Sequence, residues 1–187
     1  MGAIDEFFAD HGGSSFMEHH RLPRADWPRD GGLMRVTDFH LRVLNHQVTL
    51  RPTAMGLKRH VPGRRTPFQG GQFFTLSRSL TSLVVQMSRA QPRYRRFYRR
   101  TAIPDESYFQ TLVMNSPLAP SVVNNDLRYE DWSENTSHPK VLTEADLPAL
   151  LRSPSLFAKK FDSAIDGRLL DLIDEHVHGE IANRTDS

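Results

Sequence analysis

Proline and glycine interrupt this chain along its whole length, which favours short elements over a bundle of long helices. The 187 residues include 12 prolines and 11 glycines. Residues 12–70 contain five of the prolines and the pair Gly31-Gly32, and a second pair, Gly70-Gly71, stands at the end of this region. Because proline breaks helices and glycine favours turns, this distribution predicts many loops. We expect residues 12–70 to be mostly irregular, with one short helical or strand-like piece around residues 33–43.

Apolar residues recur at helical or strand spacing in several short segments, most of them beyond residue 70. We predict a short helix over residues 4–9, a strand over residues 72–76, a helix that Ser77 caps and that ends before Pro92, and a helix over residues 105–114. Further on we predict a strand around residues 127–129, an extended pair at residues 141–142, a helix that opens with a capping box at residues 143–146, and a last helix over residues 167–181 that Asp166 caps. Short strands interleaved with helices indicate an α/β fold.

Charge and composition exclude several classes of protein. The formal net charge is only +2, which gives no general attraction to nucleic acid. The chain has no cysteine, so disulfides and thiolate metal sites are excluded, and a reducing cytoplasm is the expected location. No apolar stretch approaches the length of a bilayer span, and the first residues lack the features of a signal peptide. Peripheral contact with a membrane stays open.

Two basic segments have both a binding and a structural interpretation. Residues 93–100 alternate arginines with aromatic residues, a pattern that suits a single-stranded nucleic acid. We favour a helix with an arginine-rich solvent face and inward-packed aromatic side chains, because no other basic stripe accompanies the run. For the four cations Lys58, Arg59, Arg64 and Arg65 we favour a solvated loop.

The histidines and aspartates do not form a pattern typical of a metal site. His19-His20 and His176-Val177-His178 place their side chains in different directions on a helix. Asp171 and Asp174 lie about one helical turn apart, but on an amphipathic helix where solvated carboxylates are expected. The sequence has no Asp-x-Asp pair of the kind that holds a divalent ion against a diphosphate. We therefore expect no metal cofactor.

Four residues are of types that could act on a substrate. Glu106 stands at a helix start, where the helix dipole ordinarily explains a carboxylate. Arg128 lies in an apolar-flanked strand and requires an anionic partner, which either the protein or a ligand could supply. The pair Lys159-Lys160 stands among aromatic residues and leaves the same two interpretations open.

Four segments occur in a fixed order along the chain: Gly70-Gly71-Gln72-Phe73-Phe74-Thr75-Leu76-Ser77-Arg78, Pro104-Asp105-Glu106-Ser107-Tyr108-Phe109-Gln110-Thr111, Asn125-Asp126-Leu127-Arg128-Tyr129 with Trp132, and Leu156-Phe157-Ala158-Lys159-Lys160-Phe161-Asp162. Together they resemble glycosyltransferase family 14, which includes the branching beta-1,6-N-acetylglucosaminyltransferases and the peptide O-xylosyltransferases. The resemblance runs from about Phe7 to about Asp174, and Leu22-Pro23-Arg24 with Trp27 and Gly31-Gly32 looks like the bacterial members. The family usually has Gly-Ser where this chain has Gly70-Gly71, and we expect the change to be tolerated because both residues are small.

The resemblance implies an inverting, metal-independent glycosyltransferase with a GT-A-like α/β fold of short strands, flanking helices and long loops. By the matching motifs, Glu106 would be the general base that takes the proton of the acceptor hydroxyl. Arg128 and Lys160, assisted by Lys159, would neutralise the departing diphosphate. The donor would be UDP-N-acetylglucosamine or UDP-xylose, and the acceptor a glycan or another hydroxyl compound.

Only part of the family's pattern is present in this sequence. Family members carry an N-terminal strand–helix region that holds the nucleotide, and this chain resembles the part that follows it. We therefore expect residues 1–182 to be the C-terminal acceptor and catalytic part, with the nucleotide-binding half missing, and residues 183–187 to be a frayed polar tail. We therefore expect the transferase to be incomplete in this chain alone. The alternative function is a non-catalytic, truncated binding module.

Overall fold

The computed structural model of the chain describes residues 3–28, 30–43, 46–52, 56–57, 59–134 and 136–185. These residues form two compact units. We name Gly13–Asp126 the central unit, and Met1–Gly12 together with Leu127–Ser187 the terminal unit. Helix α1 (Ala3–Asp10) of the terminal unit opens the chain and confirms the predicted first helix.

The central unit contains a three-stranded sheet and two further strand pairs. Its strands, in chain order, are β1 (Ser15–Met17), β2 (His20–Arg21), β3 (Phe39–Val43), β4 (His46–Leu50), β5 (Phe68–Gln69), β6 (Phe74–Thr75) and β7 (Val122–Val123). The middle strand β1 pairs antiparallel with β6 and parallel with β7. β2 pairs with β5 and β3 pairs with β4, both antiparallel.

Four helices of the central unit supply most of its apolar core: α2 (Met34–Thr37), α3 (Arg78–Ala90), α4 (Pro92–Tyr98) and α5 (Tyr108–Met114). The predicted cap of α3 is confirmed, because the backbone N–H of Leu80 donates to Ser77 Oγ at 3.3 Å. The buried cluster joins side chains from β1 and the helices, among them Met17, Leu80, Tyr94 and Leu112. Burial of this apolar surface is the main force that holds the unit together.

The basic-aromatic run forms helix α4, as we expected for a helix with an arginine-rich solvent face. Tyr94 and Tyr98 are 1% and 2% exposed, whereas the arginines of the run face solvent. The Tyr94 hydroxyl donates to the carbonyl oxygen of Tyr108 at 2.7 Å. The two tyrosines therefore pack inside the unit and are not available to stack on bases.

Three predictions for the central unit need correction. The piece predicted around residues 33–43 is confirmed as α2 and β3, but the region expected to be otherwise mostly irregular also contains the middle strand β1 and the strand β4. The strand predicted over residues 72–76 is limited to β6. The helix predicted over residues 105–114 is interrupted at Ser107, where a 3₁₀ turn (Pro104–Glu106) ends before α5 begins. At the interruption Ser107 has a non-helical φ of −138°, and its Oγ donates to the carbonyl oxygen of Phe68 at 2.8 Å, which ties this point of the chain to β5.

The solvated loop expected for the four cations is wrong for Arg59 and Arg65. Arg59 donates to the carbonyl oxygens of Val36, Asp38, Phe97 and Arg100 at 2.7–3.2 Å. Burial lowers the pKa of this guanidinium to about 10. Arg65 donates to the carbonyl oxygen of Pro62 and to Gln91 Oε1. Arg59 and Arg65 therefore tie loops to the helices. Of the other two cations, Arg64 is exposed as expected, and Lys58 lies outside the described residues.

The terminal unit contains, after α1, the strands β8 (Arg128–Tyr129) and β9 (Phe157–Ala158) and the helices α6 (Leu147–Arg152), α7 (Ser163–Asp166) and α8 (Arg168–Thr185). Both predicted caps are confirmed: Asp146 Oδ2 accepts from the N–H of Thr143, and Asp166 Oδ1 from the N–H of Leu169. Helix α8 continues past its predicted end at residue 181. Among the helices that the structure describes, none combines the length and the apolarity needed to cross a membrane.

Candidate active site

The Glu106 carboxylate is held by two donors from distant parts of the central unit. Glu106 ends the 3₁₀ turn Pro104–Glu106. Arg35 Nη1, on α2, donates to Glu106 Oε2 at 3.1 Å, and Gln69 Nε2, on β5, donates to the same oxygen at 3.2 Å. The Glu106 carbonyl oxygen also accepts from the N–H of Gly70 at 2.9 Å. Side chain and backbone together fix the carboxylate against the segment that follows β5.

The two oxygens of this carboxylate have different surroundings. Both donors bind Oε2, and none of the residues described by the structure donates a hydrogen bond to Oε1. The Glu106 side chain is 31% exposed. One oxygen is thus anchored by the protein, and the other can accept a proton from a bound molecule.

The electrostatic surroundings of Glu106 act in opposite directions. Burial raises the pKa of its carboxyl, and the neighbouring Asp105 acts in the same direction. The Arg35 charge and the hydrogen bonds from Arg35 and Gln69 lower the pKa. Burial dominates, so the pKa lies above the ordinary value for a glutamate. A raised pKa makes a carboxylate a stronger base near neutral pH.

A second carboxylate borders the same segment of the chain. Glu18 Oε2 accepts from the N–H of Gly71 at 2.8 Å, and Glu18 Oε1 lies 2.9 Å from His20 Nε2. A Cβ at Gly70 would collide with the carbonyl oxygen of Glu18, so only glycine fits this close approach. At Gly71 a Cβ would lie 3.2 Å from Glu18 Oε2 and 3.5 Å from Asp126 Oδ2. Because 3.2 Å is a tight distance for a Cβ, the Glu18 side chain would have to shift slightly for a serine at position 71, whereas glycine fits as the chain stands.

The candidate cations of the terminal unit lie on, or directly after, two paired strands. β8 and β9 are parallel, and their register places Arg128 opposite Phe157 and Tyr129 opposite Ala158. The N–H of Lys159 continues the pairing by donating to the carbonyl oxygen of Tyr129 at 3.0 Å. Two motifs about thirty residues apart in the sequence therefore lie side by side.

The side chains of the three cations differ in the contacts that hold them. The Arg128 guanidinium lies over the Phe157 ring, 5.3 Å from its centroid. Lys159 Nζ forms an ion pair with Glu130 Oε1 at 2.9 Å. Lys160 is exposed, and its ammonium has no partner among the residues that the structure describes. Of the three, Lys160 is the cation most available to an incoming anion.

Glu106 belongs to the central unit, whereas Arg128, Lys159 and Lys160 belong to the terminal unit. Across the described ranges, no group of three or more His, Asp or Glu side chains is arranged to hold a metal ion. His19 and His20 belong to the Glu18 surroundings instead: His20 pairs with Glu18, and burial lowers the pKa of His19.

Sequence reasoning missed Arg35 and Gln69, the two partners of the Glu106 carboxylate. They stand 71 and 37 residues away in the chain. No local pattern marks either residue, because each is defined by tertiary packing. The available signal for Gln69 was its place directly before Gly70-Gly71 in a segment that resembles the family.

Comparisons with known proteins support the resemblance seen in the motifs. The sequence model of the Core-2/I-Branching enzyme family matches residues 4–150. Xylosyltransferase 2 of Rattus norvegicus is 26% identical over 190 residues, which cover 92% of this chain and 21% of the relative. Xylosyltransferase of Ciona intestinalis is 25% identical over 194 residues, or 94% of this chain and 22% of the relative. The chain thus spans about a fifth of the length of the curated relatives it matches.

Proposed function

Because this chain belongs to the Core-2/I-Branching enzyme family, we propose that it carries the catalytic part of an inverting, metal-independent glycosyltransferase that moves a sugar from a UDP donor to an acceptor hydroxyl. The observation that carries the proposal is the Glu106 carboxylate, anchored through Oε2 and open at Oε1. A general base requires this combination of a fixed orientation and a free oxygen.

In the proposed reaction, Glu106 Oε1 takes the proton of the acceptor hydroxyl while its oxygen attacks the anomeric carbon of the donor. A new glycosidic C–O bond forms as the bond between the anomeric carbon and the β-phosphate oxygen breaks. The electron pair of the broken bond leaves with UDP. Attack from the side opposite the leaving group inverts the anomeric configuration.

The surroundings of Glu106 support this role through two opposing effects. Burial raises the pKa of the carboxyl, which strengthens the base. Arg35 stabilises the ionised form, which keeps the carboxylate deprotonated and ready to react. A glutamate without Arg35 would be a stronger base that is ionised in a smaller fraction of the molecules.

In the proposal, Arg128 and Lys160 neutralise the diphosphate as negative charge develops on it. Fixed cations stabilise such charge more effectively than water does, since they need no reorganisation during the reaction. Lys160 is the main contact because its ammonium is exposed, and Lys159 assists although it already pairs with Glu130. A metal ion is not required for the charge balance of this step.

The relatives narrow the choice of donor and acceptor to be tested. The matched curated relatives are named as xylosyltransferases, so UDP-xylose is the first donor to test and UDP-N-acetylglucosamine the second. The acceptor in the proposal is a glycan or another hydroxyl compound.

The test is sugar transfer by the purified chain with each donor, in chelator and again with added Mg²⁺ or Mn²⁺. We expect UDP release and a glycosylated product of inverted configuration by NMR, at equal rates with and without metal. The matched variants Glu106→Gln and Asp105→Asn change adjacent carboxylates of one turn, and only Glu106→Gln should lower the transfer rate by a factor of roughly 100 to 10,000. Unchanged turnover of Glu106→Gln would remove the base assignment. Donor binding without any product from the wild-type chain would favour the non-catalytic binding module.

A further inference from the structure

The Trp27 ring lies against two guanidinium groups near the candidate base. The Cζ atoms of Arg35 and Arg24 lie 4.7 and 4.9 Å from the ring centroid, within the range of cation–π attraction. Arg24 is itself held by Asp26, through contacts of 3.0 Å at Nε and 2.6 Å at Nη2. The ring therefore has one firmly paired guanidinium and one that reaches onward to Glu106.

Two glycines allow the loop around Trp27 to fold tightly. Gly31 and Gly32 have φ values of +64° and +82°, which favour glycine. A Cβ at Gly32 would lie 2.6 Å from Trp27 Cε3, and a Cβ at Gly31 would lie 2.5 Å from the carbonyl oxygen of Arg24. The N–H of Arg24 donates to the carbonyl oxygen of Gly31 at 2.9 Å and closes the loop. The loop thereby brings the Trp27 ring beside the start of α2, which carries Arg35.

Arg35 connects this ring to the carboxylate. Its guanidinium contacts the Trp27 ring and donates from Nη1 to Glu106 Oε2. Its carbonyl oxygen accepts from the N–H of Ala102 at 3.1 Å, which ties α2 to the chain just before the turn that ends at Glu106. We infer that Trp27 is a positioning residue, whose ring holds Arg35 on Glu106 Oε2 and so keeps Oε1 open for the acceptor hydroxyl. The catalytic meaning of this inference rests on the proposed role of Glu106 as the base.

Arg35 needs such support because its side chain is 33% exposed. A long, partly exposed side chain loses rotamer freedom when it forms an ion pair, and water screens the pair. Stacking on an aromatic ring restricts the guanidinium before it meets the carboxylate. Without the ring, Arg35 would spend less time on Oε2, and Gln69 alone would oppose the effects of burial and of Asp105 on the carboxyl pKa.

The experiment is an NMR titration of the Glu106 side-chain carboxyl carbon in the purified chain, assigned with Glu106→Gln. It compares wild type, Trp27→Leu, Arg35→Met and the double variant. We expect Trp27→Leu and Arg35→Met each to raise the Glu106 pKa, and the double variant to match Arg35→Met alone, because Trp27 acts through Arg35. Phe7→Leu, which removes a ring stacked on His11 in the terminal unit, is the control and should leave the pKa unchanged.

Two results would overturn the inference. One is an unchanged Glu106 pKa in a folded Trp27→Leu variant, and the other is a Trp27→Leu effect that persists when Arg35 is methionine. If Trp27→Leu does not fold, the same cycle is run with Trp27→Phe, whose smaller ring should give a smaller rise of the same sign only when Arg35 is present. Because the titration measures the protonation of the Glu106 carboxyl, its result does not depend on whether the chain transfers sugar. Undiminished transfer by Glu106→Gln would remove the base assignment but not the coupling of Trp27 to Glu106.

Discussion

The central and terminal units carry their candidate functional groups in different ways. In the central unit, Glu106 is held by Arg35 and Gln69, which come from distant parts of the chain. In the terminal unit, the three cations Arg128, Lys159 and Lys160 lie on or directly after one pair of neighbouring strands, and their side chains are partly or fully exposed. A base must keep its orientation through a proton transfer, whereas a cation can follow a flexible diphosphate. The difference in construction agrees with the difference in proposed role.

The central unit also has the larger buried apolar cluster of the two units. Among the described residues, the buried cluster of the central unit contains ten side chains, so a deletion there removes contacts with many neighbours. In the terminal unit, the buried apolar side chains among the described residues are Leu127, Leu142 and Leu169, and none belongs to that cluster. The comparison predicts a more rigid frame around Glu106 than around the cations.

The first prediction compares two fully buried leucines, one in each unit. Leu80 and Leu169 are both 0% exposed, but only Leu80 belongs to the ten-residue cluster. We expect Leu80→Ala to lower the free energy of unfolding by about 3–5 kcal/mol and Leu169→Ala by about 2–3 kcal/mol, since the larger cluster leaves the larger unfilled cavity. Urea unfolding of the two variants measures the difference. An equal or larger loss in Leu169→Ala would contradict the contrast in packing.

The second prediction concerns the exposed cation of the terminal unit. Lys160→Ala should weaken the binding of UDP by about tenfold, because it removes a charge-assisted contact to the diphosphate. Arg152→Ala, which removes an exposed cation from α6 of the same unit, is the matched control and should leave the affinity unchanged. Titration calorimetry measures both. Equal losses in the two variants would show a general charge effect and no specific site.

The third and smallest effect is the pH dependence of stability, which should have opposite signs in the two units. The hydrogen bond from Lys140 lowers the pKa of Asp146, so its contribution is present above the ordinary pKa and is lost as pH falls through the folded value. Burial raises the pKa of Glu106, so its contribution is present below the ordinary pKa and is lost as pH rises through the folded value.

Unfolding of wild type, Asp146→Asn and Glu106→Gln at several pH values tests these signs. The stability advantage of wild type over Asp146→Asn should shrink as pH falls. Glu106→Gln should gain stability relative to wild type as pH rises. Differences that do not vary with pH would rule out the assigned surroundings of both carboxylates.

Sequence reasoning succeeded where structure depends on near neighbours. The cap of α3 at Ser77, the capping box at Thr143 and the inward tyrosines of α4 all follow from residues a few positions apart. Strand β3 lies in the piece predicted around residues 33–43, but its partner β4 was missed, because no glycine in the sequence separates the two strands.

For the candidate site, too, sequence reasoning identified the residues in local motifs and missed those that only the tertiary fold brings close. Its four residues were named through motifs that resemble a family, and the structure adds that β8 and β9 bring the motifs of Arg128 and Lys159-Lys160 together. The partners of Glu106 could not be predicted, since Arg35 and Gln69 reach it only through the tertiary fold. Hydrogen bonds between residues so far apart leave no periodic or local signal in a single sequence.

The pH dependence of kcat/KM for sugar transfer, measured for wild type and Glu106→Gln, tests the central claim most directly. We expect the wild-type rate to fall on the acidic side with a midpoint above the ordinary pKa of a glutamate, because the base must be ionised and burial raises its pKa. Glu106→Gln should lack this acidic limb and retain a rate lower by a factor of roughly 100 to 10,000. A Glu106→Gln profile that coincides with that of wild type would contradict the assignment of Glu106 as the base.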